Sequence, residues 1–107
     1  MNILVENLKA ARALIDTPEK WTKGAYGRTA DHSPTSYRDP RAVCHCMLGA
    51  LRSIGPADWL RQEELVEDVM TGYGHHSHIP TFNDAPTTTH ADVLAVFDMA
   101  IERAEAR

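Results

Sequence analysis

The sequence predicts an all-α domain, a compact bundle of about four helices joined by two long loops. Four segments carry apolar residues three or four positions apart, the period of a helix with one buried face. The stretches 22–39 and 72–88 between them are rich in glycine, proline, serine and threonine, which is typical of loops. The length of 107 residues is that of one domain, and we expect residues 1–107 to form one.

The first helix is predicted over residues 2–16. Asn2 is a suitable N-cap, and Pro18 ends the segment because the residue before a proline avoids the helical region. In the loop that follows, a short β-hairpin within residues 24–37 is the alternative to irregular structure. The apolar positions that share one face of the helix are Leu4, Leu8, Ala11 and Ile15.

The second helix is predicted to begin at Asp39 and Pro40, because Asp is a good N-cap and Pro is favoured at the first helical position. It runs to residue 54 and is apolar around most of its circumference, as expected of a central helix. Gly49 would permit a close crossing, so we expect Gly49→Leu to overpack it and to be severely destabilising. The predicted inner face consists of Val43, Met47, Ala50 and Ile54.

The third helix is predicted to start at Pro56 or Asp58 and to end near residue 72. Its outward side is acidic, which is usual for a solvated face. Its inner face is predicted to consist of Leu65, Val66, Val69 and Tyr73.

The last helix is predicted to start at Thr88 or Thr89, because Thr89 and Asp92 have the spacing of a capping box. We expect Asn83 and Asp84, which precede it, to bond nearby backbone and lock the long loop onto the helix start. The predicted inner face is Val93, Phe97, Ala100, Ile101 and Ala104.

The formal net charge is −4, but residues 1–52 carry +3 and residues 53–107 carry −7. No apolar run is long enough to cross a membrane, and the N-terminus lacks the pattern of a secretory signal. Cys44 and Cys46 would project about 200° apart on a helix and cannot readily bridge. Free thiols fit a reducing compartment, and we expect a cytoplasmic protein without membrane contact.

Four motifs together cover nearly the whole chain. They are Trp21 after a Pro-Glu pair, residues 38–43 leading into 46–51, Phe82-Asn83-Asp84 followed by residues 88–94, and Phe97-Asp98 leading into Ala100-Ile101. Together they resemble a family of small bacterial and phage domains of unknown function. His45 stands where that family usually has an aromatic residue. The resemblance implies a compact bacterial or phage domain and brings no activity, substrate or catalytic residue with it.

The leading functional interpretation is a non-enzymatic accessory protein that binds a protein partner through the two long loops, with the acidic third helix as an additional contact surface. The first alternative is a small hydrolase-like site of Cys46, His90, Asp84 and Asn83, since a thiol nucleophile needs a base and a group that orients the base. If the enzyme is instead metal-dependent, histidines would bind the metal, since they are common zinc ligands. We expect no cofactor, with zinc as the alternative, and the candidate ligands are His75, His76, His78 and His90.

The second alternative is nucleic-acid binding through the loop 20–41. Basic residues interleaved with aromatic ones are what phosphate contact and base stacking require. The acidic net charge argues against a dedicated nucleic-acid binder. The residues concerned are Lys20, Trp21, Lys23, Tyr26, Arg28, Tyr37 and Arg38.

Overall fold

The structure is a computed structural model that describes residues 2–54 and 59–106, and most of it is helical. The mostly helical fold predicted from the sequence is confirmed, with a small antiparallel sheet added to it. The α-helices of the described residues are α1 (Ile3–Leu14), α2 (Met47–Ile54), α3 (Trp59–Gly72), α4 (Ile79–Asp84) and α5 (His90–Glu105). A 3₁₀ turn spans Pro18–Lys20, and the strands are β1 (Gly27–Arg28), β2 (Pro34–Thr35) and β3 (Cys44–His45).

The starts of α1 and α5 are capped by side chains that the sequence analysis identified. Asn2 caps α1 by accepting hydrogen bonds from the backbone N–H groups of Leu4 and Val5. Its amide also donates to the carbonyl of Ala104 at 3.0 Å, which ties the start of α1 to the end of α5. Thr89 forms the predicted capping box with Asp92. The two helices therefore begin where local cap chemistry predicts.

The sheet confirms the hairpin alternative and adds a strand to it. β1 lies in the middle, with Gly27 opposite Thr35 of β2 and His45 of β3. A Cβ at position 27 would lie 2.9 Å from the carbonyl oxygen of Cys44, so only glycine fits there without a shift. Thr22 extends the edge by donating its N–H to the carbonyl of His45 at 3.0 Å.

The predicted start of the second helix is wrong. Asp39 lies in a turn, where its carboxylate accepts hydrogen bonds from the Thr35 hydroxyl and the Arg41 backbone and side chain. These bonds, the one from the Arg41 side chain first, hold the pKa of Asp39 far below its usual value. Val43 donates to the carbonyl of Arg28 and is 54% exposed instead of buried. Pairing with β1 thus overrides the local Asp-Pro signal, and α2 begins only at Met47.

The second predicted loop contains a helix that the sequence did not indicate. Residues Ile79–Asp84 form α4, with Pro80 in its first turn. Ile79, Phe82 and Asn83 are buried. Six residues are too few for an apolar period to stand out, which is why this helix was predicted as loop.

The core is enclosed by α1, α2, α3 and α5. Leu65, Val66 and Val69 of α3 are buried as predicted, whereas Tyr73 is 61% exposed. Gln62 of the same helix is fully buried, and within residues 2–54 and 59–106 neither end of its amide has a hydrogen-bond partner. The inner face predicted for α5 is buried throughout.

The predicted start of the third helix at Pro56 or Asp58 lies outside the described residues. Among the helices that the structure describes, none has the length and apolar character needed to cross a membrane.

Candidate functional site

The side-chain amide of Asn83 joins three separate segments of the chain. Its Oδ1 accepts hydrogen bonds from the Trp21 indole N–H at 2.7 Å and from the Met47 backbone N–H at 3.0 Å. Its Nδ2 donates to the carbonyl of Thr22 at 3.0 Å and to Asp84 Oδ1 at 2.9 Å. The amide is fully buried and uses two donors and two acceptor positions, which is its usual full capacity. Asn83 therefore fixes the first loop and the start of α2 against α4.

A second set of contacts ties residues 23–24 to the end of α4. Asp84 Oδ1 also accepts the backbone N–H of Gly24 at 2.9 Å. Gly24 has a φ of +80°, a conformation that L side chains rarely adopt. The ammonium group of Lys23 donates a hydrogen bond to the carbonyl of Ala85 at 2.6 Å, and its nitrogen lies 5.5 Å from the centre of the Trp21 ring. Residues 23 and 24 of the first loop are thus both hydrogen-bonded to the end of α4.

These contacts shape a pocket of about 260 Å³ between the first loop, the start of α2 and α4. We call it the loop pocket. Tyr26, at its rim, is 43% exposed, whereas Cys46 and Leu48 are 7% and 6% exposed. The lining residues are Gly24, Ala25, Tyr26, Cys46, Leu48, Pro80 and Asp84.

The wall formed by α2 approaches the loop backbone closely at Gly49. A Cβ at this position would lie 2.1 Å from the carbonyl oxygen of Tyr26, far inside any allowed contact. The same carbonyl accepts the backbone N–H of Cys46 at 3.2 Å. The close approach expected at Gly49 is therefore present, but its partner is the loop backbone rather than a second helix.

Cys46 lies directly before α2, not two turns inside a helix as the predicted boundaries imply. Its Sγ accepts the backbone N–H of Gly49 at 3.2 Å. Burial raises the pKa of the Cys46 thiol, although hydrogen bonds from the backbone of Gly49 and Leu48 lower it, and the charge of Asp84 raises it further. The thiol is neutral at neutral pH for these reasons. Cys44 is also buried, and both cysteines are free.

His90 is engaged at a different place from Cys46. Its Nε2 donates to the carbonyl of Ile15 at 2.7 Å, because a carbonyl oxygen can only accept. Its ring centre lies 5.8 Å from that of Trp21. Among the hydrogen bonds and ring contacts of residues 2–54 and 59–106, none joins His90 to Cys46. The structure thus brings Asn83, Asp84 and Cys46 together and leaves His90 at the junction of α1 and α5.

The loop histidines proposed as zinc ligands also have separate neighbours. The ring of His75 packs on Phe82 with 4.7 Å between ring centres. His78 Nδ1 is 2.8 Å from the hydroxyl of Thr81. His76 lines two pockets, each of which Ala85 also lines. No group of three or more His, Cys, Asp or Glu side chains in the described part of the chain has the arrangement of a metal site.

Several cations of the predicted nucleic-acid loop bond to the chain itself. Lys20 pairs with Asp16 at 3.3 Å. Arg28 donates to the Thr22 hydroxyl at 2.9 Å and to the carbonyls of Lys23 and His32 at 3.0 and 3.2 Å. Arg28 therefore closes the loop on itself, and Lys23 and Trp21 are held against α4 as described above.

The other three candidate nucleic-acid-binding residues, Tyr26, Tyr37 and Arg38, form a surface cluster beside the loop pocket. The rings of Tyr26 and Tyr37 meet edge to face with 5.7 Å between their centres, and we call them the tyrosine pair. The guanidinium of Arg38 lies 5.6 Å from the ring centre of Tyr37. Arg52 lies 6.0 Å from the Tyr26 ring and pairs with Glu63 at 3.2 Å.

The sequence did not indicate four of the residues that line the loop pocket. Gly24, Ala25, Leu48 and Pro80 have no chemistry of their own that marks a site. They line the pocket only because three segments distant in sequence meet there, and no local pattern signals that meeting. Cys46 and Asp84 were candidates because of their functional groups.

The fold and the site define a small, mostly helical domain in which the first loop, the start of α2 and the helix α4 meet around a pocket. The chain belongs to a family of unknown function, DUF6197, whose family model matches residues 2–103. The resemblance to an unknown-function family is thereby confirmed. Neither a curated protein nor a solved structure matches the chain significantly.

Proposed function

We propose that this chain is an accessory protein that binds a partner protein through the loop pocket and the adjoining tyrosine pair. The observation that carries the proposal is an apolar pocket of about 260 Å³ with a partly exposed tyrosine at its rim. Pockets for drug-sized ligands measure roughly 300–1,000 Å³. The loop pocket is therefore suited to one side chain of a partner, with the tyrosine pair as the flanking contact surface.

The rigid walls of the pocket support this role. Asn83 and Asp84 hold the loop with hydrogen bonds that exist before any partner arrives. A preformed site loses little conformational freedom on binding, which favours affinity. Tyrosine is enriched at protein interfaces because it offers a large, partly apolar surface with few rotatable bonds.

The contacts of the candidate catalytic residues give less support to an enzyme. A cysteine nucleophile needs a lowered thiol pKa or a base within hydrogen-bond reach. The pKa of Cys46 is raised instead, and His90 donates to a backbone carbonyl. Nucleic-acid binding also has weaker support, because Lys20, Lys23 and Arg28 are bonded within the chain.

The test uses an mRNA-displayed random peptide library selected against the whole chain. Binding of the selected peptides to two variants of the chain is then measured. In Ala25→Phe the added ring is placed to fill the loop pocket, and Ala95→Phe is a control on the exposed side of α5. We expect selected peptides to bind the wild type and Ala95→Phe but not Ala25→Phe. Peptides that bind all three proteins equally, or a library that yields no specific binder, would overturn the proposal.

A further inference from the structure

Among the described residues that line the loop pocket, Asp84 is the only carboxylate. Its Oδ1 accepts from two neutral donors, the Gly24 N–H and the Asn83 amide. Within residues 2–54 and 59–106 no cation forms an ion pair with Asp84, and no hydrogen bond uses its Oδ2. The carboxylate is thus held in position while its negative charge stays without a cationic partner.

The other walls of the loop pocket are mainly apolar. Leu48 and Pro80 contribute hydrocarbon surface. Cys46 adds a thiol that burial keeps neutral, and a buried neutral thiol behaves as a small hydrophobe. A ligand that matches both features has an aliphatic body and a cationic end, as in the long basic side chains.

The chain's own nearby cations do not fill this role. The ammonium group of Lys23 is bonded to the carbonyl of Ala85. The guanidinium of Arg28 is bonded to two carbonyls and a hydroxyl of the loop. Both therefore leave the carboxylate of Asp84 available to a cation from outside.

From this geometry we infer that the loop pocket binds a lysine side chain of the partner protein. Its ammonium group would meet Asp84 Oδ2, and its methylene groups would lie against Cys46 and Leu48. Lysine fits better than arginine, because one available oxygen suits a compact ammonium, whereas a guanidinium is best matched by two carboxylate oxygens. The inference rests on the proposed protein-binding function and specifies the partner's chemistry.

The first test is an NMR titration of the ¹⁵N-labelled whole chain with n-butylammonium, the lysine side-chain analogue. n-Butanol serves as the neutral probe of similar shape. We expect saturable shifts at the amides of Gly24, Tyr26, Cys46 and Leu48, and about fivefold tighter binding of the ammonium, in line with an ion pair at a partly exposed site. Equal affinity for the two probes, or shifts located elsewhere, would overturn the inference.

The second test repeats the titration with Asp84→Asn. The asparagine oxygen can still accept the Gly24 N–H, so the loop contact is retained while the charge is removed. We expect the preference for butylammonium over butanol to disappear. The matched control is Asp68→Asn on the exposed face of α3, which should keep the preference. Retention of the preference by Asp84→Asn would contradict the inference, and the comparison of the two probes on the wild type remains decisive if this variant does not fold.

The selected peptides separate the inference from the proposal on which it rests. If the peptides that fail to bind Ala25→Phe carry a lysine at one fixed position, the result supports both the lysine inference and the proposed protein-binding function. Peptides that require an open pocket but carry no lysine overturn the lysine assignment and leave protein binding standing. Peptides that bind Ala25→Phe as well as the wild type overturn the proposed function itself.

Discussion

The Trp21 indole N–H donates to Asn83 Oδ1 at 2.7 Å, joining residues 62 positions apart in the sequence. The same oxygen accepts the N–H of Met47, the first residue of α2. One side chain therefore fixes the distance between the first loop, α2 and α4. This junction holds together the three segments whose residues line the loop pocket.

Asn83→Ala is expected to lower the free energy of unfolding by about 2–4 kcal/mol, because it leaves buried N–H groups of Trp21 and Met47 without an acceptor. Urea denaturation measures the change. The control is Asn7→Ala on α1, whose side chain has no hydrogen bond in the described structure and which should change stability by less than about 0.5 kcal/mol. Equal effects of the two substitutions would show that the Asn83 junction is not important for stability.

Gly49→Ala is expected to destabilise the fold by about 3 kcal/mol or more, because the added Cβ would meet the Tyr26 carbonyl oxygen at 2.1 Å and force the backbones apart. Thermal and urea unfolding measure this. Gly72→Ala is the control, since no atom of the described residues lies within 4 Å of a Cβ at that position of α3. A Gly49→Ala protein as stable as Gly72→Ala would mean that α2 does not cross the loop this closely.

Gln62→Leu is expected to raise the free energy of unfolding by about 1–2 kcal/mol, because it removes a fully buried amide that has no partner among the described residues and keeps a similar volume. Gln62→Glu should have the opposite effect, since it places an ionisable carboxyl at the same buried site. Urea denaturation of the two variants beside the wild type measures whether the free energy of unfolding rises in Gln62→Leu and falls in Gln62→Glu. A destabilised Gln62→Leu protein would indicate that the amide makes hydrogen bonds in solution.

Native Cys46 is expected to react with iodoacetamide at pH 8 much more slowly than the same residue in urea. Burial raises the pKa of its thiol, so little thiolate, the reactive form, is present. Cys44, also buried, provides the internal comparison by mass spectrometry. Modification of native Cys46 faster than in the unfolded chain would identify an activated thiolate and would favour the hydrolase-like alternative.

The elements that the sequence predicts well are those with local signals. Asn2 and the Thr89–Asp92 box mark the starts of α1 and α5, and apolar periods mark their buried faces. β3 was missed because residues 44–45 pair with Gly27 and Arg28, far away in the chain. Such pairing produces no recognisable pattern in the sequence near residues 44–45, and Asp39-Pro40 predicted a helix there instead.

The candidate site follows the same distinction. Cys46, Asn83 and Asp84 were singled out by their functional groups, and the fold brings them together. His90 was grouped with them on residue type alone, and its hydrogen bond to Ile15 places it at another junction. The pocket itself depends on the mutual position of three segments, which composition and spacing do not encode.

Calorimetric titration of one selected peptide against the wild type, Ala25→Phe and Ala95→Phe shows whether the loop pocket is the protein-binding site. We expect Ala25→Phe to weaken binding by about tenfold or more, a loss of ~1.4 kcal/mol, and Ala95→Phe to bind as the wild type does. Undiminished binding by a folded Ala25→Phe protein would contradict the proposed function.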